Sequence, residues 1–75
     1  MPKAFVMIDV QPGNEEVVKK AIQKMAGVQF SYEVTGEHDI IALVDAEPYE
    51  EISTTVAHIR QIPGVCGTDT EFVLR

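Results

Sequence analysis

The stretch Tyr32-Glu33-Val34-Thr35-Gly36-Glu37-His38-Asp39-Ile40-Ile41-Ala42-Leu43-Val44 reads as strand, four-residue turn and strand. In the left arm Tyr32 and Val34 alternate with Glu33 and Thr35, the period of a half-buried strand. The right arm, Ile40 to Val44, is apolar on both sides, so both of its faces must be covered. The four residues Gly-Glu-His-Asp between them suit a loop that needs one residue at positive φ, and Gly36, with no Cβ, is the candidate.

Working outward, Lys3 to Val10 predicts a first strand, with Ala4, Val6, Ile8 and Val10 on one face and Phe5 and Met7, ending at Asp9, on the other. It too is largely apolar on both sides, as a central strand should be. Pro12-Gly13 marks a loop. Asn14 is placed to cap a helix whose first turn carries Glu15 and Glu16 at the positive end of its dipole. That helix is expected over 15–25, with Val17, Val18, Ala21, Ile22 and Met25 as its apolar stripe and Gly27 at or just past its C-terminal cap. Val28 to Thr35 predicts the second strand, with Val28, Phe30, Tyr32 and Val34 on one side. Pro48 suits the first turn of a second helix running to Arg60 or Gln61, with Tyr49, Ile52, Val56 and Ile59 buried. Ile62-Pro63-Gly64 breaks it. Val65 to Leu74 predicts a fourth strand, with Cys66, Thr68, Thr70, Phe72 and Leu74 on one side.

The order β-α-β-β-α-β is the split βαβ, ferredoxin-like pattern of the α+β class. Right-handed crossovers lead to an antiparallel sheet of order 4-1-3-2 with both helices on one face. The two strands that are apolar on both sides then fall in the centre. The face away from the helices carries Phe5, Met7, Ile41 and Leu43, a patch that marks an interface.

Seventy-five residues make one domain. A chain this short buries only about 60% of its unfolded surface and usually needs a staple. The single cysteine, Cys66, has no internal disulfide partner, and no Cys/His cluster suggests zinc. Association remains, with a second copy packed sheet on sheet as the expected partner. The formal charge of −6 and the lack of a basic patch argue against nucleic acid binding. Lys19, Lys20 and Lys24 read as a solvated helix face with Glu15–Lys19 and Glu16–Lys20 pairs. No signal peptide and no apolar run near 20 residues is seen, which predicts a cytoplasmic protein with no membrane contact.

No catalytic or metal motif stands out, and no cofactor is expected. His38 and His58 lack partners at ligand spacing. Cys66 reads as a small buried strand residue, and Tyr32 and Tyr49 as core or interface aromatics. Two features remain. Gly36-x-x-Asp39 can offer backbone N–H groups to a carboxylate and an acid to an ammonium, which suits a free amino acid. From the residues alone the plainer reading is turn chemistry, with Gly36 supplying positive φ and Asp39 closing an Asx-type bond. Thr68-x-Thr70 puts two hydroxyls on one strand face, and threonines are also plain strand formers.

The run Val34-Thr35-Gly36-Glu37-His38-Asp39-Ile40 before an apolar strand, and the ending Ile62-Pro63-Gly64-Val65 with Thr68 and Thr70 after it, resemble the Lrp/AsnC (feast/famine) regulators. The start from Ala4-Phe5-Val6 and the helix after Pro12-Gly13 fit the same pattern. The resemblance implies an effector-binding (RAM) domain whose sheets pack face to face into dimers and whose dimers form rings, commonly octamers. It implies small effectors, usually amino acids, bound between subunits. Gly36, Glu37 and Asp39 would line that site, with Thr68 and Thr70 reaching it from the last strand. Regulators of this kind carry a helix-turn-helix ahead of the domain, whereas the first strand here begins at Lys3. The expectation is therefore a single stand-alone domain over 1–75, non-catalytic, with no direct DNA binding, that senses amino acids or joins full-length regulators in mixed rings. Two alternatives stand beside it: a small dimeric α+β-barrel enzyme, of monooxygenase or isomerase type, using His38 or His58, and a purely structural oligomer. An amino acid-binding ACT domain shares the fold, but its site is glycine-rich at the first strand–helix loop, where Gly13 stands alone.

Overall fold

Two apolar strands need neighbours on both sides, and the computed structural model, which describes residues 2–75, provides them. The elements are β1 (Lys3–Val10), α1 (Glu15–Gln23), β2 (Val28–Glu33), β3 (Ile40–Asp45), α2 (Glu50–Arg60) and β4 (Val65–Phe72). They form one four-stranded sheet of order β2-β3-β1-β4 in which every neighbouring pair is antiparallel. This is the expected ferredoxin-like arrangement. Ala4, Val6, Ile8 and Val10 of β1 and Ile40, Ala42 and Val44 of β3 share the covered face. They form one buried cluster with Val18 and Ile22 of α1 and Ile52 and Ile59 of α2. Both helices therefore lie on the same side.

On the open face the register lines up Phe30, Leu43 and Phe5 in one row and Tyr32, Ile41 and Met7 in the next, with Glu71 and Asp69 of β4 completing the rows. The expected apolar patch is present and is larger than expected, because β2 contributes to it. The register of β2 shifts between Val28 and Phe30, so Gln29 is an extra residue opposite β3. A bulge of this kind reverses which side chains face inward. Val28 packs on the core, whereas Phe30 and Tyr32 turn to the open face, their rings stacked 5.1 Å apart. Ser31 takes the buried place. The single face expected for Val28, Phe30, Tyr32 and Val34 is thus corrected, and β2 ends at Glu33 rather than Thr35.

The same device corrects Cys66. In β4 the register steps from Asp9↔Gly67 to Val10↔Val65, leaving Cys66 as the extra residue. Its thiol is exposed rather than buried, and β4 ends at Phe72. α1 ends at Gln23, two residues short of expectation, with Val18 and Ile22 buried and Val17 69% exposed at the margin of the stripe. Asn14 makes no side-chain cap. It lies under the Ile62–Val65 turn, against Gly64, and Glu15 instead accepts from the Gly13 N–H at 2.9 Å. Glu15 therefore does not pair with Lys19, which lies 3.5 Å from Glu33 and 3.8 Å from Glu16; the Glu16–Lys20 pair forms at 3.6 Å. α2 begins at Glu50, with Pro48 and Tyr49 leading in. Tyr49 is exposed rather than buried: it precedes the first turn of α2 and stacks on Phe72 at 4.9 Å. Ile52 and Ile59 are buried as expected, Val56 only partly, and Thr55 is buried between them.

Candidate functional site

The β2–β3 loop is fastened to the end of β1. The Val34 N–H donates to the Asp39 carbonyl (3.0 Å), which closes the loop, and the Asp39 N–H donates to the Ile8 carbonyl (3.0 Å). Asp39 Oδ2 accepts the Val10 N–H at 2.9 Å. Its carboxylate thus caps β1 across the sheet and makes no local Asx turn. Among the described residues Oδ1 takes no such bond. Gly36 turns the loop at φ +113°, a conformation a Cβ disfavours, and both it and Glu37 are exposed.

His38 Nδ1 lies 2.9 Å from Asp9 Oδ1. The hydrogen bond to Asp9 raises the His38 pKa above its ordinary 6.5, partial burial opposes this, and the charges of Asp9, Asp69 and Glu37 add to the rise. Asp9 escaped the sequence reading as a partner. The signal was available: with β1 and β3 antiparallel and Ile8 opposite Ile40, the next residue of β1 comes beside the end of the loop. His58 is on α2, exposed, and has no part in this pair.

Thr68 and Thr70 pair with Ile8 and Val6, which places them on the helix-covered side. Thr70 lines a shallow cavity of about 190 Å³ between α2 and β4 with Ser53, Val56, Ala57, Arg60 and Phe72. That cavity takes in none of the other four expected residues. Ile40 and Thr68 flank Ile8 from opposite sides, two strand spacings or about 10 Å apart. The structure therefore brings Asp39 and Thr68 to one end of the sheet with β1 between them, and leaves Gly36 and Glu37 outermost in the loop. Among the described residues no three His, Cys, Asp or Glu side chains meet in a metal-binding group, and no helix is long and apolar enough to cross a membrane.

Comparison with known proteins bears on this arrangement. The family described as "Lrp/AsnC ligand binding domain" matches residues 3–75. The HTH-type transcriptional regulator LysM of Sulfurisphaera tokodaii is 39% identical over 75 residues, covering 97% of this chain and 53% of the regulator. The chain thus spans about half the length of the regulators it matches. Among solved structures, TTHA0845 from Thermus thermophilus superposes with a TM-score of 0.95 at 33% identity, covering 100% of this chain and 95% of that one. The siroheme decarboxylase NirDL superposes at 0.87 with 20% identity, over 99% of this chain and 26% of that one; at this distance the likeness is one of fold alone.

Proposed function

The chain belongs to the Lrp/AsnC ligand-binding domain family, and from that premise we propose that it is a non-catalytic sensor of free amino acids, acting in the cytoplasm. The observation that carries the reading is the family match over 3–75, which takes in the glycine turn and the threonine strand together. The chemistry of the turn supports it. Gly36 leaves main-chain N–H groups uncovered for a carboxylate, and the second oxygen of Asp39 suits an ammonium. We assign Gly36, Glu37 and Asp39 from one subunit, with Thr68 and Thr70 from another, to one site. A shared site of this kind accounts for why a single chain leaves the five apart. The apolar open sheet face is the contact proposed to pair two copies, and rings of such dimers would bring turn and strand together. The same face is our proposed contact with full-length regulators of the family. Native mass spectrometry of a mixture with LysM tests that extension, and recovery of homo-oligomers alone counts against it.

Thermal shift against the twenty amino acids tests the central reading. An effector at 100 times its dissociation constant stabilises by about 2.7 kcal/mol. Asp39→Asn keeps an acceptor for the Val10 N–H while removing the charge, so it should abolish the shift and leave the fold intact. His58→Ala should keep the shift. A flat response to all twenty, or a shift unchanged in Asp39→Asn, overturns the assignment.

A further inference from the structure

Among the described residues, the loop holding Gly36 and Glu37 is hydrogen-bonded to the rest of the fold at three points, all at the end of β1. Two involve Asp39: its N–H on the Ile8 carbonyl and its Oδ2 under the Val10 N–H. The third is the His38–Asp9 contact at 2.9 Å. Only this third tie contains a group whose charge changes near neutral pH. The charged groups facing His38 are Asp9 on β1, Asp69 on β4 and Glu37 in the loop, all acidic, and its chain neighbour Asp39 is acidic too. A protonated imidazole holds Asp9 through a charge-assisted bond, shorter and stronger than the neutral one. Loss of the proton leaves a weaker tie on the segment that turns through Gly36.

We propose that Asp9 and His38 are a positioning pair for the glycine turn: a proton on His38 draws residues 36–39 against β1, and effector binding at the turn is proton-linked through this contact. The second half rests on the reading of the turn as part of the effector site; the first half stands without it. Neither side chain has to touch the effector.

The test has two arms. In the free protein, amide hydrogen exchange is followed at Val10 and Asp39, with Met25 as a distant reference, while the His38 ring is titrated by NMR. Protection factors at Val10 and Asp39 should fall about threefold as pH rises through the ring's own midpoint, the scale of a partly exposed ion pair, and Met25 should not follow. His38→Gln donates to Asp9 without titrating and should remove the step. Asp9→Asn is the second variant should that one fold poorly. Protection without a step in the wild-type protein, or a step that persists in both variants, overturns the proposal. In the second arm, the affinity of each amino acid found to bind is measured across the same window. It should weaken as pH rises in the wild-type protein and stay level in His38→Gln; a level wild-type affinity overturns the proton linkage. If the exchange step is present and none of the twenty binds, the effector reading fails and the hold on the turn stands.

Discussion

At the scale of single residues, Asp39 does two structural jobs: its carbonyl closes the loop on the Val34 N–H, and its carboxylate holds the Val10 N–H. The turn was legible because Gly36 between two strand patterns has few other uses. The bond from Asp39 to Val10 was not, because it spans 29 residues and depends on sheet register. Asp39→Ala strands the Val10 N–H and should cost on the order of 1–3 kcal/mol in urea denaturation, with Asp39→Asn close to wild type. Two glycines make a comparison. Gly36→Ala meets open space and incurs only the strain of its positive φ, on the order of 1–3 kcal/mol. At Gly64, φ +100°, a Cβ would come within 2.6 Å of the Asn14 side chain, so Gly64→Ala adds a displaced neighbour to the strain and should cost more than Gly36→Ala. For His38, the folded pKa is raised above 6.5 by its bond to Asp9. The folded state therefore binds the proton more tightly than the unfolded chain. The resulting stabilisation is complete below pH 6.5 and disappears as pH climbs through the folded value. Urea midpoints of the wild-type protein should converge on those of His38→Gln over that climb; a gap that widens instead refutes the assignment.

At the scale of elements, strand and helix identities follow from periods of two and of about 3.6, and all six elements were legible on that basis. Side-chain parity across the two bulges, at Val28 in β2 and at Val65 and Cys66 in β4, was not, whereas Thr68, Thr70 and Phe72 share one face as expected. A bulge adds one residue without changing composition, so Gln29 looked like any other strand position. At Cys66 the following Gly67 was the one hint, since glycine within a strand often marks such a site. The energetic consequence is clearest at Ser31, which the β2 bulge turns inward. Its hydroxyl is fully buried and has no hydrogen-bond partner among the described residues. Ser31→Ala should therefore raise stability by on the order of 1 kcal/mol, against the usual loss on substituting a buried residue. Ile8→Ala, in the row where β3, β1 and β4 meet, should lose about 2–5 kcal/mol. Both are read from equilibrium unfolding.

At the scale of the whole molecule, the open sheet face dominates. Six apolar side chains, Phe5, Met7, Phe30, Tyr32, Ile41 and Leu43, stand in two adjoining rows, and among the described residues both helices lie on the other face. If copies cover one another there, Leu43→Asp should shift sedimentation velocity toward the monomer. It should also lower Tm more at low protein concentration than at high, because stability shared between copies follows mass action. A Leu43→Asp protein that sediments like wild type removes the sheet face from the assembly.

The two bulges bear on how this chain behaves when crowded. They sit on β2 and β4, the two outer strands, at diagonally opposite corners of the sheet. Each interrupts the even ladder of N–H and C=O groups that an incoming backbone would need to dock alongside, and local twist carries the rim away from flatness. The rims are thereby poor templates for open-ended, fibre-like growth.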